Sequence, residues 1–325
     1  MDEFELIRTF LAPLAATQGA DALRDDVAEI ATGDGRLIVT TDAIVEGVHF
    51  LASDPIETVA AKLVRVNVSD IIAKGGRPDG ALLSLVWPRG RDMGEVASFA
   101  ERLGRELSLW GAHLLGGDTT GTRSKLTLSM TLLGRCGERG PVRRSGAKPG
   151  DEVWVTGAIG DGWLGLQAAQ GRLKKMDATD RDILAGRYRV PQPPPLAMAK
   201  IVADFANASI DVSDGLVADA GHIADASGVE LVLDWMDIPL SDEGRRWLEV
   251  YPRAELAQLF TGGDDYQTLI TVREDARGDL RGACLKAGIR LTRIGRVDEG
   301  HGVSLIDASG AVRPTPAGGW RHFSG

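Results

Sequence analysis

Residues 134–151, GRCGERGPVRRSGAKPGD, are dense in glycine, proline and charge and carry no apolar periodicity, so they read as a linker. They divide the 325-residue chain into two parts, each about the size of one domain. The expected layout is an N-terminal domain over 1–137, a linker over 138–150 and a C-terminal domain over 151–325.

Working outward on the N-terminal side, residues 126–133, 81–86 and 37–40 read as strands. Asp54-Pro55-Ile56-Glu57 predicts a helix start, with Asp54 at the N-cap, Pro55 in the first helical position and Glu57 closing a capping box. Apolar residues then recur at Ile56, Val59, Ala60, Leu63 and Val64 and on through Ile71, until Gly75-Gly76 ends the helix. A second helix is expected over 93–109. On the C-terminal side, strands are predicted at 152–156, 209–212, 230–233, 267–272 and 303–306. Helices are predicted from Trp163 and over 216–226, with a stiff connection at 191–195. Strands and helices interspersed in both parts predict α/β or α+β layers.

The formal charge of −9 argues against a nucleic-acid partner, whose binders carry a basic excess. Cys136 and Cys284 lie far apart and form no CxxC pair, so neither a disulfide framework nor a zinc site is expected. The purest apolar run, 81–87, is too short to cross a membrane. The acidic start Met1-Asp2-Glu3-Phe4-Glu5 is unlike a signal peptide, and a cytoplasmic location is expected.

Aspartate recurs at element ends beside small or hydroxyl residues. The patches are Asp25-Asp26, Thr40-Thr41-Asp42, Asn67-Val68-Ser69-Asp70, Gly116-Gly117-Asp118-Thr119-Thr120 and Asp211-Val212-Ser213-Asp214-Gly215. Asp is a common turn and N-cap residue, so each patch alone has an ordinary structural explanation. Asp70 departs from it, because it sits inside a helix where Asp has poor propensity, with Asn67 three residues before it on the same face. Mg²⁺ takes one or two carboxylates together with phosphates and waters. Carboxylates drawn from several segments would therefore suit several Mg²⁺ ions on a polyphosphate. Two carboxylates about 6 Å apart repel by roughly 3 kcal/mol at an effective dielectric near 20, so a converging set needs cations.

Gly160-Asp161-Gly162-Trp163-Leu164-Gly165 matches GxGxxG between a strand and a helix. No second strand ending in an acidic residue follows about 20 positions on, which disfavours a dinucleotide fold. The glycines would allow either close helix–strand packing or approach of a phosphate to backbone N–H groups. Gly-Gly-Asp occurs twice, at 116–118 and 262–264, a faint internal echo.

Taken in order, these motifs resemble the thiamine-monophosphate kinases of the PurM-like (AIR synthetase-like) superfamily. The matching stretches include TTDAIVEGVHF (40–50), VNVSDI (66–71), GGDTT (116–120), RSGAKPGD (144–151), IDVSDGL (210–216) and GGDDY (262–266). The resemblance implies a homodimer of two-domain subunits and transfer of the ATP γ-phosphoryl group to thiamine monophosphate with several Mg²⁺ ions. It implies metal ligands at Asp26, Thr40, Thr41, Asp42, Asp70, Asp118, Asp211 and Asp214. ATP would be met by Gly117, Asp118, Arg144 and Ser213, with Trp110 near the adenine. Thiamine phosphate would be met by His49, Asp264 and Trp320. Asp42, Asp70, Asp118 and Arg144 would carry the catalytic burden. Asp264 stands where the family usually has Glu, and Leu23-Arg24 stand where it usually has glycines. Another PurM-like ATP enzyme, such as an aminoimidazole ribonucleotide synthetase, or a non-catalytic Mg-nucleotide-binding protein, is the alternative.

Overall fold

A computed structural model gives the fold and describes residues 24–25, 28–31, 35–251, 256–307 and 309–313. The expected metal ligand Asp26 and substrate contact Trp320 lie outside the described residues.

The first sheet has the order β1-β2-β5-β3-β4, from β1 (Ala28–Ala31), β2 (Arg36–Val45), β3 (Arg77–Pro88), β4 (His113–Thr122) and β5 (Thr127–Cys136). In β2, Ile38, Thr40 and Ile44 are buried while Thr41 and Ala43 are exposed, as expected of a sheet covered on one face. β3 and β4 run parallel, and α2 (Met93–Leu109) supplies the crossover that parallel pairing requires. Asp92 caps α2 by accepting the Gly94 N–H. β4 is an addition to the expected strands. Its run of glycines, threonines and one Asp lacks the usual strand signal, and it forms because β3 offers it a parallel edge.

The second sheet has the order β12-β11-β8-β10-β6-β9-β7. Its strands are β6 (Asp151–Thr156), β7 (Ala206–Val212), β8 (Glu230–Asp234), β9 (Gln267–Arg273), β10 (Leu291–Asp298), β11 (Gly302–Ile306) and β12 (Val312–Arg313). Its helices are α3 (Asp161–Ala169), α4 (Ala178–Arg189), α5 (Ala197–Phe205), α6 (Leu216–Ser227), α7 (Asp242–Val250), α8 (Ala257–Thr261) and α9 (Arg277–Ala287). β6 is buried at every position, as befits a central strand covered on both faces. The linker is shorter than its composition suggested, since Gly134–Cys136 belong to β5 and Asp151 opens β6.

α1 (Ile56–Ala73) joins the two halves. It packs on β2 and β5 on one side and on α5, β7 and β9 on the other, so nearly all its residues are buried. Trp154, Met198, Ile201, Val202, Ile270 and Val272 from the second half belong to the same apolar cluster. The expected capping box does not form, because Pro55 occupies the N-cap without a side-chain bond. The Asp54 carboxylate instead accepts the Leu51 N–H at 2.8 Å and pairs with Arg189 at 2.7 Å. A guanidinium satisfies a buried carboxylate better than a lone amide does. Gly75, at φ 76°, ends the helix as its sequence predicts.

Candidate active site

The junction between the sheets holds a cavity of about 540 Å³. Thr40, Thr41 and Asp42 of β2 line it, with His49 from the following loop and Asp70 from the last turns of α1. The second half adds Arg144, Asp211, Ser213, Asp214, Asp264 and Tyr266. The alternation of β2 turns Thr40 and Asp42 toward α1, where the Thr40 hydroxyl donates to Asp70 Oδ2 at 2.5 Å. Ser69, one residue earlier on the helix, donates to Asp211 Oδ2 at 2.8 Å. The unusual Asp inside the helix thus faces the cavity and is held by a strand of the first sheet.

The loop carrying Asp264 is built by close backbone approach. Asp264 N–H donates to Ser213 O at 2.8 Å and Tyr266 N–H to Val212 O at 2.7 Å. Gly263 lies at φ 71°, and a Cβ there would stand 2.5 Å from the Ser213 carbonyl oxygen. Asp264 and Tyr266 themselves hold φ of 65° and 51°. Left-handed backbone at a bulky residue costs on the order of 1–3 kcal/mol and persists where its surroundings dictate it. Here the two backbone hydrogen bonds and the buried Asp265 between them hold it. Asp265 receives the Gly160 and Gly162 N–H groups at 2.8 and 2.9 Å. The GxGxxG turn is therefore a cradle for a protein carboxylate. A Cβ at Gly162 would meet the Asp264 carbonyl oxygen at 2.3 Å, and one at Gly165 the Leu184 carbonyl oxygen at 2.3 Å. Of the two readings open from sequence, close packing is the one observed.

The cavity is strongly acidic. Asp42, Asp70, Asp211, Asp214 and Asp264 converge on it, and Arg144 is the one Lys or Arg lining it among the described residues. Burial, followed by the charge of Asp264 with its hydrogen bond and then the charges of Asp42 and Asp211, pushes the Tyr266 phenol well above its ordinary range. Tyr266 therefore stays a donor, giving its proton to Asp264 Oδ1 at 2.8 Å. A neighbouring cavity of about 440 Å³ on the far side of the loop is lined by Asp161, Arg187, Glu243 and Gln267 among others. Two of its acids are paired, with Arg187 2.8 Å from both Asp161 and Glu243. The carboxylates of the first cavity, with the Thr40 and Thr41 hydroxyls, offer oxygen donors that fit a hard divalent cation.

Three expected residues are placed elsewhere. Gly117 and Asp118 lie on β4, whose residues are exposed almost throughout. Asp42 stands opposite Met130, Met130 opposite Leu83 and Leu83 opposite Gly117. Three strand spacings, roughly 14 Å of sheet, therefore separate the Asp42 and Gly117 rows. Trp110, expected near an adenine, is 8% exposed and packs in the core with Arg65 6.0 Å from its ring. That ring serves packing and does not line the cavity.

Some participants carried no motif. Lys62 reaches Asp264 Oδ2 and the His49 carbonyl, both at 2.9 Å, and lies 4.0 Å from the Tyr188 ring centre. The available signal was a lysine set between Ala60-Ala61 and Leu63-Val64 on the helix's apolar run, where a charge must find a partner. Asp25, from the first aspartate patch, pairs with Lys74 at 2.9 Å and accepts the Arg144 N–H at 3.3 Å.

Comparison with known proteins agrees with this geometry. Residues 24–136 match the AIR synthase related protein N-terminal domain, and 148–308 match its C-terminal domain. The chain is 40% identical to the thiamine-monophosphate kinase of Caulobacter vibrioides, over 98% of this chain and 90% of that one. It is 35% identical to the thiamine-monophosphate kinase of Aquifex aeolicus, over 94% of each. The solved chain of AaThiL complexed with AMPPCP and TMP superposes with a TM-score of 0.87 at 33% identity, covering 99% of this chain and 97% of that one. With both domains matched and this identity sustained along nearly its whole length, the chain belongs to the thiamine-monophosphate kinase family of the AIR synthase related proteins.

Proposed function

We propose that this protein transfers the γ-phosphoryl group of ATP to thiamine monophosphate, giving thiamine diphosphate and ADP. The observation that carries this reading is the convergence of Asp42, Asp70, Asp211 and Asp214 on one cavity that also presents Arg144, His49 and Asp264. The acceptor's phosphate oxygen is ionised near neutral pH, so the reaction needs no strong general base. What it needs is alignment of two polyanions. Thr40, Thr41, Asp42, Asp70, Asp211 and Asp214 would hold Mg²⁺, which supplies charge neutralisation for the phosphates. Arg144 would bind phosphate oxygens with its planar fork, and Ser213 would contact ATP. His49 and Asp264 would orient the thiamine end, with Tyr266 holding the Asp264 carboxylate in place.

The reading includes a homodimer. Asp118 and Gly117 stand on an open edge strand beside exposed Leu114 and Leu115, too far from Asp42 to share its cavity within one chain. A second copy seated on β4 would bring its own Asp42 cavity to this Asp118. A solution mass near twice the 34.6 kDa of one chain is expected, and a monomer at working concentration would contradict it.

The decisive assay incubates protein, Mg-ATP and thiamine monophosphate and separates the products. Thiamine diphosphate is the expected product. No product, alongside turnover of another phosphorylated acceptor, would overturn the reading. Transfer is direct, so a burst of stable phosphoprotein from labelled ATP would contradict the mechanism.

A further inference from the structure

Lys62 is a deeply buried cation beside the site, with 1% of its side chain exposed. Its ammonium meets groups from three separate segments. Asp264 Oδ2, in the loop before β9, lies at 2.9 Å. The His49 carbonyl, in the loop after β2, also lies at 2.9 Å. The Tyr188 ring on α4 lies beneath it at 4.0 Å, and the Tyr188 hydroxyl donates to the same His49 carbonyl at 3.3 Å. His49 is tied again through its Nδ1, which accepts the Val45 N–H at 3.0 Å. The two residues assigned to the thiamine end therefore come from different halves of the chain and meet through one buried charge. Asp264 is short for this work, one methylene less than Glu, and both its oxygens are engaged, by Lys62 and by Tyr266.

We propose that Lys62 is a positioning residue for the acceptor. It touches neither substrate, and it sets where Asp264 and His49 stand relative to each other, so it governs affinity for thiamine monophosphate and leaves ATP binding alone. The proposal rests on the acceptor assignment above. Arg144, Asp42, Asp70, Asp211 and Asp214 serve ATP and the metal without contact to Lys62, which is why the two affinities separate.

Steady-state kinetics of Lys62→Met, Asp264→Asn and the double variant test this. Lys62→Met should raise KM for thiamine monophosphate about tenfold while KM for ATP stays within about twofold, and the double variant should be no worse than the poorer single one, because the two residues act as a unit. Lys62→Gln keeps a donor in similar volume and covers the case in which Lys62→Met does not fold, with a smaller rise confined to the acceptor KM. An unchanged acceptor KM, an equal rise in both KM values, or single effects that multiply in the double variant would overturn the positioning role. Wild-type protein that fails to convert thiamine monophosphate would instead remove the acceptor assignment, and this proposal with it.

Discussion

The tripeptide Gly-Gly-Asp occurs twice in this chain, and its two copies live in opposite environments. Gly116-Gly117-Asp118 lies in an extended edge strand, nearly all of it exposed. Gly262-Gly263-Asp264 lies in a half-buried loop with left-handed backbone at Gly263 and Asp264. Glycine has a related use in both, since a Cβ at Gly117 would stand 1.8 Å from the Leu83 carbonyl oxygen and one at Gly263 2.5 Å from that of Ser213. The carboxylates differ. Asp264 is clamped by Lys62 and Tyr266, whereas Asp118 stands on an open edge. The echo in sequence is thus no structural repeat, one copy being strand and the other loop. It teaches that glycine sets how closely the backbone packs, while the neighbours decide whether the aspartate is committed or available.

That comparison can be tested from its largest consequence downward. Asp118→Asn should reduce turnover at least about a hundredfold, the scale of losing one charge-stabilising group, with little change in Tm. Mixing it with Arg144→Ala should restore part of the activity if the site is completed across two chains. A site complete within one chain would show no recovery. Asp264→Asn acts on recognition, and its signature is a rise of roughly tenfold in the acceptor KM, about 1.4 kcal/mol, measured in the same assay. Gly263→Ala should lower Tm by a few degrees, because strained left-handed backbone costs roughly 1–3 kcal/mol and each kcal/mol shifts Tm by about 1–2 °C in a 325-residue chain. Gly117→Ala should lower Tm less, as an edge strand can shift locally, and a larger fall there than at Gly263 would reverse the comparison. The smallest effect belongs to Tyr266→Phe, which removes one hydrogen bond to Asp264 and should raise the acceptor KM severalfold, about 1 kcal/mol.

Much of this arrangement was legible in the sequence. Short apolar runs located β2 and β3, alternation located β5, and the 3.6-residue period located α1, because each reflects burial. Asp70 was legible as an anomaly, a poor helix former inside a helix. Other features depended on distant partners that local rules do not see. Asp54 left its cap for Arg189, 135 residues away. Trp110 was drawn into the core beside Arg65. The amides of the GxGxxG turn went to Asp265, more than 100 residues on. β4 was overlooked because glycine and threonine in an exposed strand carry little propensity signal. The separation of Asp118 from Asp42 follows from strand order, which no motif spacing encodes.

The central claim is that the converging aspartates couple ATP cleavage to the acceptor. The most direct measurement follows ADP and thiamine diphosphate together in one reaction with Mg-ATP and thiamine monophosphate. The prediction is one thiamine diphosphate per ADP, with both lost on Asp42→Asn or on chelation of the metal. ADP released without thiamine diphosphate, or full turnover by Asp42→Asn, would contradict it.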